Sequence, residues 1–149
     1  MSEAAPVLLE EDRGAVRVLR LNRPEKRNAL TPELGWAIVD AVDRAAADDA
    51  VRVVAITGSG GAFCAGADLA TGDGAAADPW RRSPQAAALD DVDWIGRFLL
   101  SIRLGCDKPV VAGLDGVAVG AGTALALCAD LRVASERSAL HPGYIRVAT

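Results

Sequence analysis

Two stretches of small residues carry the chemistry most open to this chain: Ala65-Gly-Ala-Asp-Leu69, preceded by Cys64, and Gly116–Gly122. A carbonyl that becomes an enolate or a tetrahedral oxyanion needs donors aimed at it, and backbone N–H groups serve well because they are already fixed. Small side chains let a ligand oxygen approach that backbone. Gly120-Ala121-Gly122 opens a segment, Thr123–Cys128, that is apolar all round and reads as a buried helix. The first-turn N–H groups of such a helix lack intrahelical partners, and its dipole favours negative charge. On spacing alone the plainer reading, close helix–strand packing eased by glycine, is the stronger of the two.

Other site chemistries fit less well. Gly120-Ala-Gly122-Thr-Ala-Leu125 has leucine where the dinucleotide fingerprint needs its third glycine, and no Gly-Lys-Ser/Thr follows either glycine cluster. His141 is the sole histidine, and Ser59, Ser101, Ser135 and Ser138 lack the context of an activated nucleophile, so His141 reads as a surface-loop residue. Cys64, Cys106 and Cys128 are odd in number, widely spaced and not in CxxC pairs. That pattern argues against a zinc site or disulfides and for free thiols in a reducing compartment. A net charge of -4 weighs against a nucleic-acid partner. The N-terminal residues lack a signal-peptide pattern. No apolar run reaches the roughly 18 residues of a membrane span. The expectation is a cytoplasmic protein with no membrane partner.

The elements that must position these stretches follow from periodicity. The 149 residues are 51% hydrophobic and 24% charged, enough for one domain over 1–149, with a core of Ala, Val, Leu and Ile because aromatics are only 4%. Ala15–Leu21, Val51–Thr57, Lys108–Leu114 and Leu131–Ala134 read as strands, the second as a buried one. Thr31-Pro32 marks a helix start, and Leu34, Ala37, Ile38, Ala41, Val42 and Ala45 share one face up to Asp48-Asp49. Asp90–Leu104 reads as a helix with Val92, Ile95, Leu99 and Ile102 on one face, and Ala70–Pro84 as a surface loop. Strands alternating with helices predict an α/β fold with parallel pairing through crossovers. No clean internal repeat is visible, although a strand–glycine-loop unit occurs twice, at Val51–Leu69 and Val110–Leu125.

Four motifs, in order, sharpen this picture: Asn22-Arg-Pro-Glu-Lys-Arg-Asn-Ala-Leu30, Ile56-Thr-Gly-Ser-Gly-Gly-Ala-Phe-Cys-Ala-Gly-Ala-Asp-Leu69, Lys108-Pro-Val-Val-Ala-Gly-Leu-Asp-Gly-Val-Ala-Val-Gly-Ala-Gly122 and Leu127-Cys-Ala-Asp-Leu-Arg-Val-Ala134. Together they resemble the enoyl-CoA hydratase/isomerase (crotonase) family. The resemblance implies a crotonase-like spiral of ββα units, here without the family's C-terminal helical part, and assembly into trimers or paired trimers. It also implies an acyl-CoA ligand, coenzyme A being part of the substrate and no other cofactor being needed. The thioester oxygen would sit between the N–H groups of Ala67 and Ala121. Ala65, Gly66, Asp68, Leu69 and Gly120 would border the ligand, with Asp68 orienting its loop. Arg27 and Ala29 would line the CoA channel, and Lys26 or Arg27 would meet CoA phosphate. Asp130 would close the buried helix. Trp94 and Phe98 would pack over the ligand-side loop or at a subunit contact.

The resemblance breaks at the acid and base. Hydration of an enoyl thioester needs groups that handle water and the Cα proton. The family's hydratases use two glutamates, and this chain has Ala124 and Tyr144 in their places. Tyr144-Ile-Arg-Val-Ala148 resembles the family's isomerase-like branch, whose acid follows later. Three readings stay open: an isomerase-like enzyme, a non-catalytic acyl-CoA binder and a truncated, inactive member.

Overall fold

The computed structural model describes residues 5–68 and 93–143. Expectations at Leu69, the Ala70–Pro84 loop, Val92, Tyr144 and the side chains of Trp94 and Ile95 lie outside the described residues. In chain order come β1 (Leu8–Arg13), β2 (Val16–Leu21), α1 (Pro32–Ala47), β3 (Val53–Gly58), α2 (Asp93–Leu100), β4 (Val110–Leu114), β5 (Val117–Val119), α3 (Ala121–Cys128), β6 (Leu131–Ala134) and β7 (Ala139–His141). A 3-10 turn at Pro24–Lys26 precedes α1, and a π-helical turn at Ser101–Gly105 follows α2.

Five strands form one sheet in the order β1-β2-β3-β4-β6. β2, β3, β4 and β6 run parallel as their alternation with helices predicts, and β1 adds an antiparallel edge. The two faces of this sheet differ. Leu19, Leu21, Val54, Ile56, Val110, Ala112 and Leu114 point into the core and are at most 5% exposed. Each such burial contributes about 1.5–3 kcal/mol for the larger side chains. The alternate residues Val16, Val18, Val53, Ala55 and Val111 are only half-buried. On β6, Leu131 and Val133 are 61% and 66% exposed. At Val51–Thr57, expected to be a buried strand, β3 is fully buried on one face and half-buried on the other.

α1 shows why its residues form a helix. The Thr31 side chain accepts a hydrogen bond from Leu34 N at 3.3 Å, and Pro32 occupies the first turn, where no N–H is missed. Leu34, Ile38, Ala41, Val42 and Ala45 are fully buried along one stripe. At the other end Lys108 donates from Nζ to the carbonyls of Ala45 (2.7 Å) and Asp48 (2.6 Å). A cation there meets both the unpaired carbonyls and the negative end of the helix dipole. α2 is shorter than expected, because the chain widens into a π turn from Ser101. Phe98, expected over the ligand-side loop or at a subunit contact, is fully buried in the core.

A second, smaller layer was missed by periodicity. β5 and β7 pair in parallel, and two parallel bridges extend the layer, Cys64 with Ala118 and Leu30 with Ala67. Each member follows one strand of the large sheet: Leu30 after β2, Cys64 and Ala67 after β3, β5 after β4, and β7 after β6. α1, α2 and α3 then follow the first three pairs. The chain thus repeats a strand, a short extended piece and a helix, which is the ββα spiral that the motifs imply. Asp130 fixes one turn to the next: its N–H donates to Val110 O at 2.9 Å while its carboxylate accepts from Val110 N at 2.8 Å.

Candidate functional site

The second layer brings the two small-residue stretches together. The first stretch pairs with the segment before α1: Ala65 N donates to Arg27 O (2.9 Å), Leu30 N to Gly66 O (2.8 Å) and Asp68 N to Leu30 O (2.8 Å). On its other side, Cys64 N donates to Val117 O (3.1 Å) and Val119 N to Cys64 O (2.9 Å). Contact is so close at Gly66, with φ at +90°, that a Cβ there would stand 2.6 Å from Val119 O and 3.6 Å from the Ala121 nitrogen. Only glycine admits this approach.

The N–H groups of Ala67 and Ala121 have no acceptor among the described residues. Ala67 is exposed, and Ala121 is the first residue of α3, where the backbone donors of a helix are unpaired. The turn that presents Ala121 is held from behind. Gly120 N donates to His141 O at 2.8 Å, and the buried Thr123 hydroxyl lies 2.7 Å from Ala118 O and 3.0 Å from His141 O.

The segment before α1 is the third part of the site. Arg27 and Asn28 adopt left-handed backbone, with φ of 49° and 57°. Asn28 is fully buried, and its side chain is saturated: Oδ1 accepts from Arg23 N (2.9 Å), and Nδ2 donates to Ser59 O (2.8 Å) and Ala62 O (2.9 Å). Arg23 donates to Ala29 O and to the Asp68 carboxylate, the latter at 3.0 Å. The Asp68 side chain is thus engaged within the protein and positions its own loop. Of the other residues singled out, Lys26 and Arg27 are exposed, Ala29 and Gly66 are buried, and Ala65, Gly120 and Ala124 are half-buried. Ala124 lies in the first turn of α3, so no carboxylate stands at that position.

Arg23, Asn28 and Thr123 were not assigned roles by sequence reasoning. Asn28 had a usable signal, because asparagine tolerates left-handed backbone and a buried amide fixes a turn. Thr123 was the one hydroxyl in an otherwise apolar segment. His141 is corrected: it lies in β7 rather than a loop, and the site uses its backbone carbonyl. Ser135 donates to the Asp115 carboxylate and Ser138 to Leu114 O, so neither hydroxyl donates to the imidazole of His141. Cys64, Cys106 and Cys128 are free thiols. A separate cavity of about 290 Å³ between β1 and α1, lined by Val7, Trp36 and Arg44 among others, touches none of these residues. Among the described residues no helix is long and apolar enough to cross a membrane.

Comparison with known proteins agrees with this arrangement. The family model described as enoyl-CoA hydratase/isomerase matches residues 11–147. A "Probable enoyl-CoA hydratase" of Mycobacterium tuberculosis is 38% identical over 152 residues, covering 96% of this chain and 56% of its own length. The crystal structure of an enoyl-CoA hydratase from a Polaromonas species superposes with a TM-score of 0.77 at 34% identity, over 94% of this chain and 52% of that one. That of an enoyl-CoA hydratase from M. tuberculosis gives 0.75 at 31% identity, over 96% and 51%. The chain spans about half the length of these relatives. With the ββα spiral and the matched motifs in place, the chain belongs to the enoyl-CoA hydratase/isomerase family.

Proposed function

We propose that this chain holds an acyl-CoA thioester with its carbonyl oxygen between the N–H groups of Ala67 and Ala121, stabilising the enolate that forms on loss of a Cα proton. The observation that carries the reading is the approach of Gly66 to the Ala121 nitrogen, which puts two unpaired donors on facing loops. Donors fixed by the backbone act on developing charge without reorganising. Lys26 or Arg27, both exposed, would meet CoA phosphate as a cation, Arg27 and Ala29 would line the CoA channel, and Ala65, Gly66 and Leu69 would border the adenine and pantetheine. Coenzyme A arrives as part of the substrate, so the reading needs no resident cofactor. The reaction is isomerase-like rather than two-glutamate hydration, because Ala124 and Tyr144 supply no carboxylate. A homotrimer or homohexamer in the cytoplasm belongs to the same reading, supported by family membership and by three free thiols.

A second reading is a catalytically silent acyl-CoA holder, favoured by the same Ala124. One titration series tests the shared part. Ala67→Pro removes the N–H and is expected to weaken acetoacetyl-CoA, which mimics the enolate, by about tenfold or more while sparing free CoA. Equal losses for the two ligands would place the donor elsewhere. Turnover of a 3-enoyl-CoA then separates the isomerase from the silent holder.

A further inference from the structure

Cys64 stands where the two loops cross, and its side chain has no part in the chemistry proposed above. It is fully buried. Its backbone bridges to Ala118, and its side chain lies against the first turn of α3. A Cβ on Gly122 would stand 2.4 Å from Cys64 O, 2.8 Å from Cys64 Cβ and 2.9 Å from Cys64 Sγ. One side chain therefore packs on Gly122, the residue after Ala121, from a position three residues before Ala67 on the facing loop. Burial pushes the thiol up to about 11, with the Gly66 N–H acting the other way. At neutral pH the sulfur is an uncharged filler, not a nucleophile.

We propose that Cys64 is a positioning residue: its side chain, wedged against Gly122, sets the separation of the Ala67 and Ala121 N–H groups. Packed interiors transmit changes of a single methyl group. A bulkier residue at 64 presses on Gly122, which has no side chain to rearrange, and so on the first turn of α3. A residue with no Sγ leaves a gap against Gly122 and lets the two loops shift into it. The consequence for binding rests on the acyl-thioester reading; the mechanical coupling does not.

The experiment compares Cys64→Val, Cys64→Ala and Cys64→Ser by calorimetric titration with acetoacetyl-CoA and with CoA, and by amide ¹H–¹⁵N spectra without ligand. The valine variant is expected to lose about tenfold or more in acetoacetyl-CoA affinity and little for CoA, with serine, which is close to cysteine in size and shape, within about threefold of the parent. The valine and alanine spectra should shift Gly66, Ala67, Ala121 and Gly122 together, and serine should largely restore them. Should valine prevent folding, the alanine variant decides. A folded variant whose Ala121 and Gly122 signals stay put overturns the proposal. If the parent binds acetoacetyl-CoA no better than CoA, the acyl-thioester reading falls, and the spectra alone still decide the role of Cys64.

Discussion

Arg23 and Asp68, 45 residues apart in the chain, meet at 3.0 Å with only 16% and 10% of their side chains exposed. The pair ties the segment before α1 to the loop that carries Ala67. Removing one partner leaves the other charge largely desolvated. Arg23→Met or Asp68→Asn should each cost about 2–3 kcal/mol in urea unfolding. The double variant should cost less than the sum. Full additivity would mean that the pair contributes nothing as a pair.

Asn28 is the buried amide on which the same segment turns. Asn28→Ala strands Arg23 N, Ser59 O and Ala62 O, and should cost about 2–4 kcal/mol. Asn28→Asp should be worse at neutral pH, since it sets a carboxylate oxygen against the Ser59 and Ala62 carbonyls. Denaturant midpoints at pH 7 give the order of the two variants. An aspartate variant as stable as the parent would contradict the amide orientation.

Asp115 offers a check by pH. Its carboxyl is held down at about 2, from an ordinary 3.8, by hydrogen bonds first from Arg137 and then from Ser135. A lowered carboxyl stabilises the fold above its unfolded value and loses that contribution as pH falls. The window here runs from about 4 down to about 2. Carboxyl ¹³C titration should show the low midpoint, and Arg137→Gln should return it most of the way to normal. Because the pair is exposed, added salt should also raise the midpoint.

The cysteines should separate by burial. In the native protein at pH 8, iodoacetamide should reach Cys106 and Cys128, which are half-buried, well before Cys64. Cys128 should react slowly, because burial raises its thiol above the usual value. Cys64 should label only in denaturant. Peptide mass mapping reads the order, and early labelling of Cys64 would mean that the two loops open readily.

Sequence reasoning could reach whatever depends on neighbours a few residues away. Thr31-Pro32 announces α1, and β2, β3, β4 and β6 show as apolar runs within two residues of their observed starts. β1 was hidden because Leu8 is its only buried residue, so no alternation marks it. β5 and β7 are three residues each, too short for any period. The candidate donors were legible because small-residue loops have a composition of their own. The residues that brace those donors were not. Beyond their own segment, the partners of Arg23 and Asn28 lie 31 to 45 residues away, and only the folded spiral brings them together.

The stacking of turns also bears on how the molecule is made. Each strand from β2 to β6 in the large sheet pairs with the strand of the turn synthesised before it. Nothing in that sheet waits for a later segment to slot between earlier ones. The polypeptide can therefore be built in the order it leaves the ribosome, each completed turn acting as the template for the next. At each stage the outermost strand is a parallel edge, as β6 is among the described residues, with Leu131 and Val133 facing water. Slow translation at that stage would expose a sticky edge to neighbouring nascent chains.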